Sequence, residues 1–175
     1  MFDFGHTIID ELKERQVPLV SRSVDLMPGL PEILPQIKFK MGIWANAQAG
    51  EQEVRIWLRR AGISQYFEWI TTSEDAGARK PSQNFFSYAL KKCALNKEEI
   101  IFVGNQLNTD IRGAKDNGIQ CIWLSGYAYR SPDDFRIDDI AANQIEPDYT
   151  IEFLSELPAL LESVQQRPPF VTRPE

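Results

Sequence analysis

Residues 102–124 read FVGNQLNTDIRGAKDNGIQCIWL, and the order of residue types in this stretch decides the fold. It grows out of an apolar run of strand length, Ile100 to Val103, with Glu98 and Glu99 before it and Gly104 after it. A helical segment is predicted from Asn108 to Asn117, where Ile111 and Ala114 share a face and Gly118 supplies the stop. A second apolar run, Ile119 to Leu124, follows at once. The apolar residues are continuous and do not alternate with polar ones, which suits strands covered on both faces. Strand, helix and strand in that order describe a βαβ unit and a parallel sheet.

The same rhythm extends in both directions. Met41 to Trp44 is another strand-length apolar run. In Glu51 to Ala61, Val54, Trp57, Leu58 and Ala61 recur at helical steps, and Gly62 ends the helix. In Ser82 to Leu95, Phe85, Phe86, Ala89, Leu90 and Cys93 form a second stripe, with Ser82 placed as its cap. A last helix runs from about Ser155 to Val164 on Leu157, Leu160, Leu161 and Val164. Residues 18 to 35 hold Pro18, Pro28, Pro31 and Pro35 and read as a loop and a short helix leading into the next strand. The fold class is therefore α/β, a doubly wound, mainly parallel sheet flanked by helices. One core domain covers residues 1–166, and a loosely ordered tail covers 167–175.

Composition narrows the function classes. The chain has 175 residues, a formal charge of -6 and an ordinary globular balance of 43% hydrophobic and 25% charged residues. A negative charge argues against a nucleic-acid partner, whose backbone it would repel. Asp133, Asp134, Asp138, Asp139, Glu146 and Asp148 fall in one stretch, read as a solvated loop. Cys93 and Cys121 are far apart among apolar residues, as buried free thiols in a reducing compartment would be. No run is long enough to span a membrane and no signal pattern opens the chain, so the expected location is the cytoplasm.

In doubly wound sheets ligands bind at the carboxyl ends of strands, and four such ends carry reactive residue types. Asp3, in Phe2-Asp3-Phe4-Gly5-His6-Thr7, precedes a glycine-containing turn; it can serve as a nucleophile, although an Asp before a turn is also common structural chemistry. Asn46, after Ile43-Trp44-Ala45, can donate to an anion or simply shape a turn. Lys80 precedes Pro81 at a helix start, where a cation opposes the helix dipole and so answers a nearby negative charge. Asp110 opens a helix after Gly104-Asn105. His6, the only histidine, reads as a turn residue, and no pair of histidines or cysteines suits zinc.

Taken in this order and spacing, FDFGHT, IWAN, ARKPSQNFF and FVGNQLNTDIRGAKDNGIQCIWL resemble the four-motif series of the haloacid dehalogenase (HAD) superfamily. The resemblance runs from Phe2 to about Leu161 and includes the closing PDYTIEFLSELPALL segment. It implies a Mg²⁺-dependent phosphatase in which Asp3 attacks phosphorus and forms an aspartyl-phosphate. Magnesium would be held by Asp3, the Gly5 carbonyl and Asn105. Lys80 and Asn46 would meet the substrate phosphate, and Asp110 matches the later acid of the fourth motif.

Three positions depart from that pattern. Gly5 stands where many relatives place the general acid, Ala45 where they place Ser or Thr, and Asn105 where they place a metal-binding Asp. These departures keep open an alternative, a catalytically weakened or inactive HAD-fold protein that serves as a binding or assembly module. Only 42 positions separate Asp3 from Ala45 and 35 separate Ala45 from Lys80, which leaves no room for a cap domain. An open, capless site would admit a bulky or macromolecular phosphorylated substrate. A phospho-receiver domain also uses Asp and Lys-Pro, but there the Lys-Pro lies near the end of a shorter domain, whereas here 94 residues follow Pro81.

Overall fold

The structure, a computed structural model, describes residues 1–9, 21, 25–127 and 145–165. Five strands are set in it: β1 (Met41–Ala45), β2 (Phe67–Thr72), β3 (Ile101–Gly104), β4 (Gln120–Leu124) and β5 (Tyr149–Ile151). These strands pair in parallel: β1 with β2, β3 with β4, and β4 with β5. Residues 1–3 join the two groups. Phe2 bridges Ile43 on one side and Val103 on the other. Its N–H donates to the Gly42 carbonyl at 2.8 Å, its carbonyl accepts from the Trp44 N–H at 2.9 Å, and the Asp3 N–H donates to the Val103 carbonyl at 2.8 Å. The spatial order is thus β2, β1, residues 1–3, β3, β4, β5. The chain winds outward from its first residues in one direction and then returns to wind in the other. Asp3 stands at that reversal, on the carboxyl side of the sheet, where ligands bind in such folds.

Continuous apolarity in the strands has its explanation in two cores. Ile43, Ala45, Val103, Ile122 and Leu124 point into one core, with Trp57 and Leu58 of the helix Glu51–Arg60 and Leu157 of the helix Leu157–Gln165. Trp44, Phe102 and Cys121, the alternate residues, point into the other with Phe85, Phe86 and Ala89 of the helix Gln83–Cys93 and Ala114 of the helix Arg112–Asp116. Successive side chains of a strand face opposite ways, so a sheet sandwiched between helix layers wants apolar residues at every position. The Trp44 ring stacks on Phe102 at 5.7 Å and meets Phe86 edge-on at 5.7 Å, which locks β1, β3 and the helix Gln83–Cys93 together.

Several boundaries differ from the sequence expectation. The strand Phe67–Thr72 is not a continuous apolar run: Glu68 is exposed, Trp69 is only partly buried, and the strand lies at the sheet edge among the described residues. The helix expected from Asn108 opens as a wide π-type turn, Leu107–Ile111, before Arg112–Asp116 continues it. The last helix begins at Leu157, after a tight turn at Leu154–Glu156. A short helix, Leu30–Ile33, leads toward β1 as the proline-rich segment implies. Asp148 lies in the exposed bend before β5, as expected of a loop acid, but it also accepts from the Cys121 N–H at 2.9 Å and from Lys115 Nζ at 2.8 Å, pinning the approach to β5 against β4. Glu146 is exposed, while Asp133, Asp134, Asp138, Asp139 and the tail 167–175 lie outside the described residues. No helix among the described residues is long and apolar enough to cross a membrane.

Candidate active site

Four connections deliver the site. The Asp3 backbone is fastened to β3, and the chain turns tightly after it: the His6 N–H donates to the Ile9 carbonyl at 2.7 Å, with His6 buried at φ 53°. A positive φ costs a non-glycine residue strain that only a well-determined turn sustains, so His6 is a turn residue as expected. Asp110 is brought up by Gly104. A Cβ there would lie 2.5 Å from the Asp110 Cβ and 2.6 Å from its Oδ2, so only glycine allows this approach. The Gln106 N–H donates to Asp110 Oδ2 at 3.0 Å, and the Thr109 hydroxyl donates to Gln106 Oε1 at 3.0 Å, closing the turn around the acid.

Lys80 unites these elements. Its ammonium donates to Asp3 Oδ1 at 2.5 Å, to Asp110 Oδ1 at 2.8 Å and to the Trp44 carbonyl at 2.8 Å, while lying 5.1 Å from the centre of the Phe102 ring. All three of its donors are used. Asp3 is 8% exposed, Lys80 3% and Asp110 1%, so two buried carboxylates share one buried ammonium. Burial first, and the Asp110 carboxylate second, push the Asp3 carboxyl up from 3.8 to about 7 against the pull of Lys80. Burial works against the Lys80 charge, but Asp110 and Asp3 together outweigh it and hold the ammonium above its ordinary range. The three residues expected to cooperate therefore do meet.

Asn105 and Asn46 complete the crevice in ways the sequence does not disclose. Asn105 is buried; its Nδ2 donates to the Tyr127 carbonyl at 3.1 Å, and the Trp123 indole N–H holds its main-chain carbonyl at 3.0 Å. Its Oδ1 is buried with no hydrogen-bond partner. A buried acceptor without a donor is costly, and a hard cation is a fitting partner for it. Among the described residues no group of three or more His, Cys, Asp or Glu could hold a metal, so a cation here would depend on amide and main-chain oxygens beside Asp3. The donor set fits magnesium in kind, with less charge than a carboxylate at position 105 would bring. Asn46, the residue expected on the substrate phosphate, bonds the Lys80 main chain with both ends of its amide: Oδ1 accepts from the Lys80 N–H at 2.8 Å and Nδ2 donates to its carbonyl at 3.0 Å. Gly5 follows Asp3 at the start of the turn, and Ala45 ends β1 with no hydroxyl to offer. Tyr127, Trp123, Trp44 and Gln106 act here through groups that the sequence reading did not single out. Three of them contribute main-chain atoms, which residue type cannot reveal.

A cavity of about 250 Å³ lies elsewhere, near the starts of β1 and β3, among Met1, Ile37, Phe39, Ile101, Leu161 and Val164. None of Asp3, Lys80, Asn105 or Asp110 lines it, so it is separate from the candidate site.

Comparison with known proteins identifies the family and the fold. The family model described as haloacid dehalogenase-like hydrolase matches residues 4–124. The pyrimidine 5′-nucleotidase YjjG of Escherichia coli is 29% identical over 86% of this chain and 63% of its own length. A glyceraldehyde 3-phosphate phosphatase of Pyrococcus furiosus is 30% identical over 80% of this chain and 55% of its own. The chain thus spans between half and two-thirds of the length of these relatives, whose names specify small phosphorylated compounds and not a macromolecule. Among solved structures, an uncharacterized protein from Listeria monocytogenes serotype 4b superposes with a TM-score of 0.75 at 24% identity, covering 95% of this chain and 97% of that one. The HAD-hydrolase YfnB of Bacillus subtilis, solved with magnesium bound, superposes at 0.61 with 24% identity over 80% of this chain and 56% of that one. These likenesses share the fold, a parallel sheet flanked by helices. This chain belongs to the haloacid dehalogenase-like hydrolase family.

Proposed function

We propose that the protein is a phosphatase that hydrolyses small phosphate monoesters through an aspartyl-phosphate on Asp3, with Mg²⁺ as cofactor. The observation that carries this reading is the contact of the Lys80 ammonium with both Asp3 and Asp110 in one buried crevice. Asp3 attacks phosphorus through a carboxylate oxygen as the ester P–O bond breaks. Water then cleaves the new P–O bond, releasing inorganic phosphate and restoring the carboxylate. Lys80 balances the charge that gathers on the phosphoryl oxygens, and Asp110 holds the ammonium in place. Magnesium, held by Asp3, the Gly5 carbonyl and Asn105 Oδ1, would neutralise and orient the phosphoryl group.

No side-chain acid stands at Gly5, so the leaving oxygen takes its proton from water. A missing general acid costs about 10²–10⁴ in rate, least when the leaving group is a weak base. Aryl and acyl phosphates should therefore turn over faster than alkyl phosphates. The spacing of the motifs and the near-complete overlap with a structure of similar length support a capless, open site. The relatives' names favour small substrates within it over a bulky or macromolecular one. Free, buried Cys93 and Cys121 are consistent with a cytoplasmic location. Nucleic acid is not among the proposed partners, since the chain is acidic.

The test is hydrolysis of p-nitrophenyl phosphate and of glycerol phosphate by purified protein, with and without Mg²⁺, beside Asp3→Asn. Metal-dependent aryl phosphatase activity that vanishes in the variant supports the proposal. Activity that survives the substitution, or equal rates on both esters, defeats it. Asn105, Ala45 and Gly5 motivate the second reading, a binding or assembly module, and protein without activity on any phosphate ester would favour that one.

A further inference from the structure

The amide of Asn46 spends two hydrogen bonds on a single residue, and both go to main chain. Oδ1 takes the Lys80 N–H at 2.8 Å while Nδ2 reaches the Lys80 carbonyl at 3.0 Å. One residue pairs with another this way across a sheet ladder, with N–H and C=O exchanged reciprocally. Here a side chain plays the strand's part, because β1 ends at Ala45 and Lys80 lies in a connection between helices. Two residues earlier, the Trp44 carbonyl accepts from the Lys80 ammonium. The short stretch Trp44–Asn46 therefore grips the lysine at both ends, head and main chain.

Such a grip has a function. The ammonium must meet Asp3 from the first segment, Asp110 from the π-type turn and Trp44 from β1 at the same moment. A four-carbon stem can reach many places, and its value as a charge depends on where its root is held. We propose that Asn46 is a positioning residue that sets the Lys80 ammonium through the Lys80 main chain, rather than a contact for the substrate phosphate. Its catalytic consequence rests on the phosphatase reading above; the positioning itself does not.

The experiment has one arm that needs no activity. Reductive methylation of the native protein, followed by peptide mass spectrometry, reports whether Lys80 is shielded, with Lys92 as an internal reference. Lys80 should be protected in the parent protein and labelled about tenfold faster in Asn46→Ala. Asn46→Asp, which keeps the acceptor for the Lys80 N–H and loses the donor to its carbonyl, should fall between them and serves if the alanine variant folds poorly. In the kinetic arm, Asn46→Ala should lower kcat on p-nitrophenyl phosphate about 10²-fold, as misplacement of a reacting group does. On a Lys80→Met background the same change should cost nothing more, because its effect passes through the lysine. Lys80 still shielded in both Asn46 variants, or losses that multiply in the double variant, would overturn the proposal. If the parent protein hydrolyses no phosphate ester, the phosphatase reading fails while the labelling result still decides this one.

Discussion

Asn105 turns its amide nitrogen to the Tyr127 carbonyl at 3.1 Å and leaves its buried oxygen as the end without a hydrogen-bond donor. The carbonyl thus selects which end of the amide is left without a donor. A carboxylate in the same place would set an oxygen against an oxygen. Asn105→Asp should therefore destabilise the metal-free protein by about 1–3 kcal/mol. It should also gain a larger stabilisation from Mg²⁺, because it adds a charge to the donor set. Asn105→Ala should lose most of the magnesium response. Thermal melts in chelator and across a Mg²⁺ series check both parts, and a response that ignores residue 105 would remove it from the metal seat.

Asp3 gives the site a pH signature. Its carboxyl is raised from 3.8 to about 7, so the folded protein prefers the neutral form. The stability it lends is complete below pH 3.8 and is lost as the pH rises through about 7. Asp3→Asn, neutral at every pH, should thus raise the melting temperature of the metal-free protein at pH 8 and change it little at pH 4. Each kcal/mol corresponds to about 2–4 °C for a domain of this size. A variant that melts lower than the parent at pH 8 would contradict the burial argument.

The acid at the approach to β5 acts with the opposite sign. The bonds from Lys115 and from Cys121 hold the Asp148 carboxyl below its ordinary value despite partial burial. Its contribution is present above pH 3.8 and disappears as the pH falls through the lower folded-state value. Asp148→Asn should cost about 1 kcal/mol at pH 7, where a charged hydrogen bond is lost, and nearly nothing at acid pH. Denaturant titrations at the two pH values measure the difference.

Gly104 offers the sharpest steric test. Gly104→Ala places a methyl on Asp110 within 2.5–2.7 Å of three of its atoms. The acid must withdraw, and the Lys80 ammonium with it. Stability should fall by about 1–3 kcal/mol, and any phosphatase activity should fall by more than a tenfold step. Unchanged stability in a denaturant melt would mean that the strand end yields freely.

At the sheet edge, Arg55 Nη2 donates to the Glu68 carbonyl at 3.0 Å and Lys92 Nζ to the Ile70 carbonyl at 2.7 Å. These cations cover two of the main-chain acceptors of β2. Uncovered edges pair with other chains. The double variant Arg55→Ala/Lys92→Ala should self-associate at concentrations where the parent does not, as light scattering after gel filtration would reveal.

Much of this protein is written locally. The strands around Ile43, Phe102 and Ile122 and the helices bearing Trp57 and Phe86 are legible, because burial on one or two faces imposes a period on the residues themselves. The motif residues Asp3, Lys80 and Asp110 are legible too, since their charges sit at strand ends and helix starts, where such charges need a reason. Phe67–Thr72 escaped because an edge strand carries weaker apolar patterning. The hydrogen-bond partners of Asn46 and Asn105 also escaped. An amide suits a turn, an anion or a cation equally well, and which it serves depends on what lies opposite. For Asn46 that is the main chain of a residue 34 positions away, and for Asn105 it is the carbonyl of Tyr127, 22 positions on. Hydrogen bonds to backbone atoms carry no residue identity, so only the folded chain could decide them.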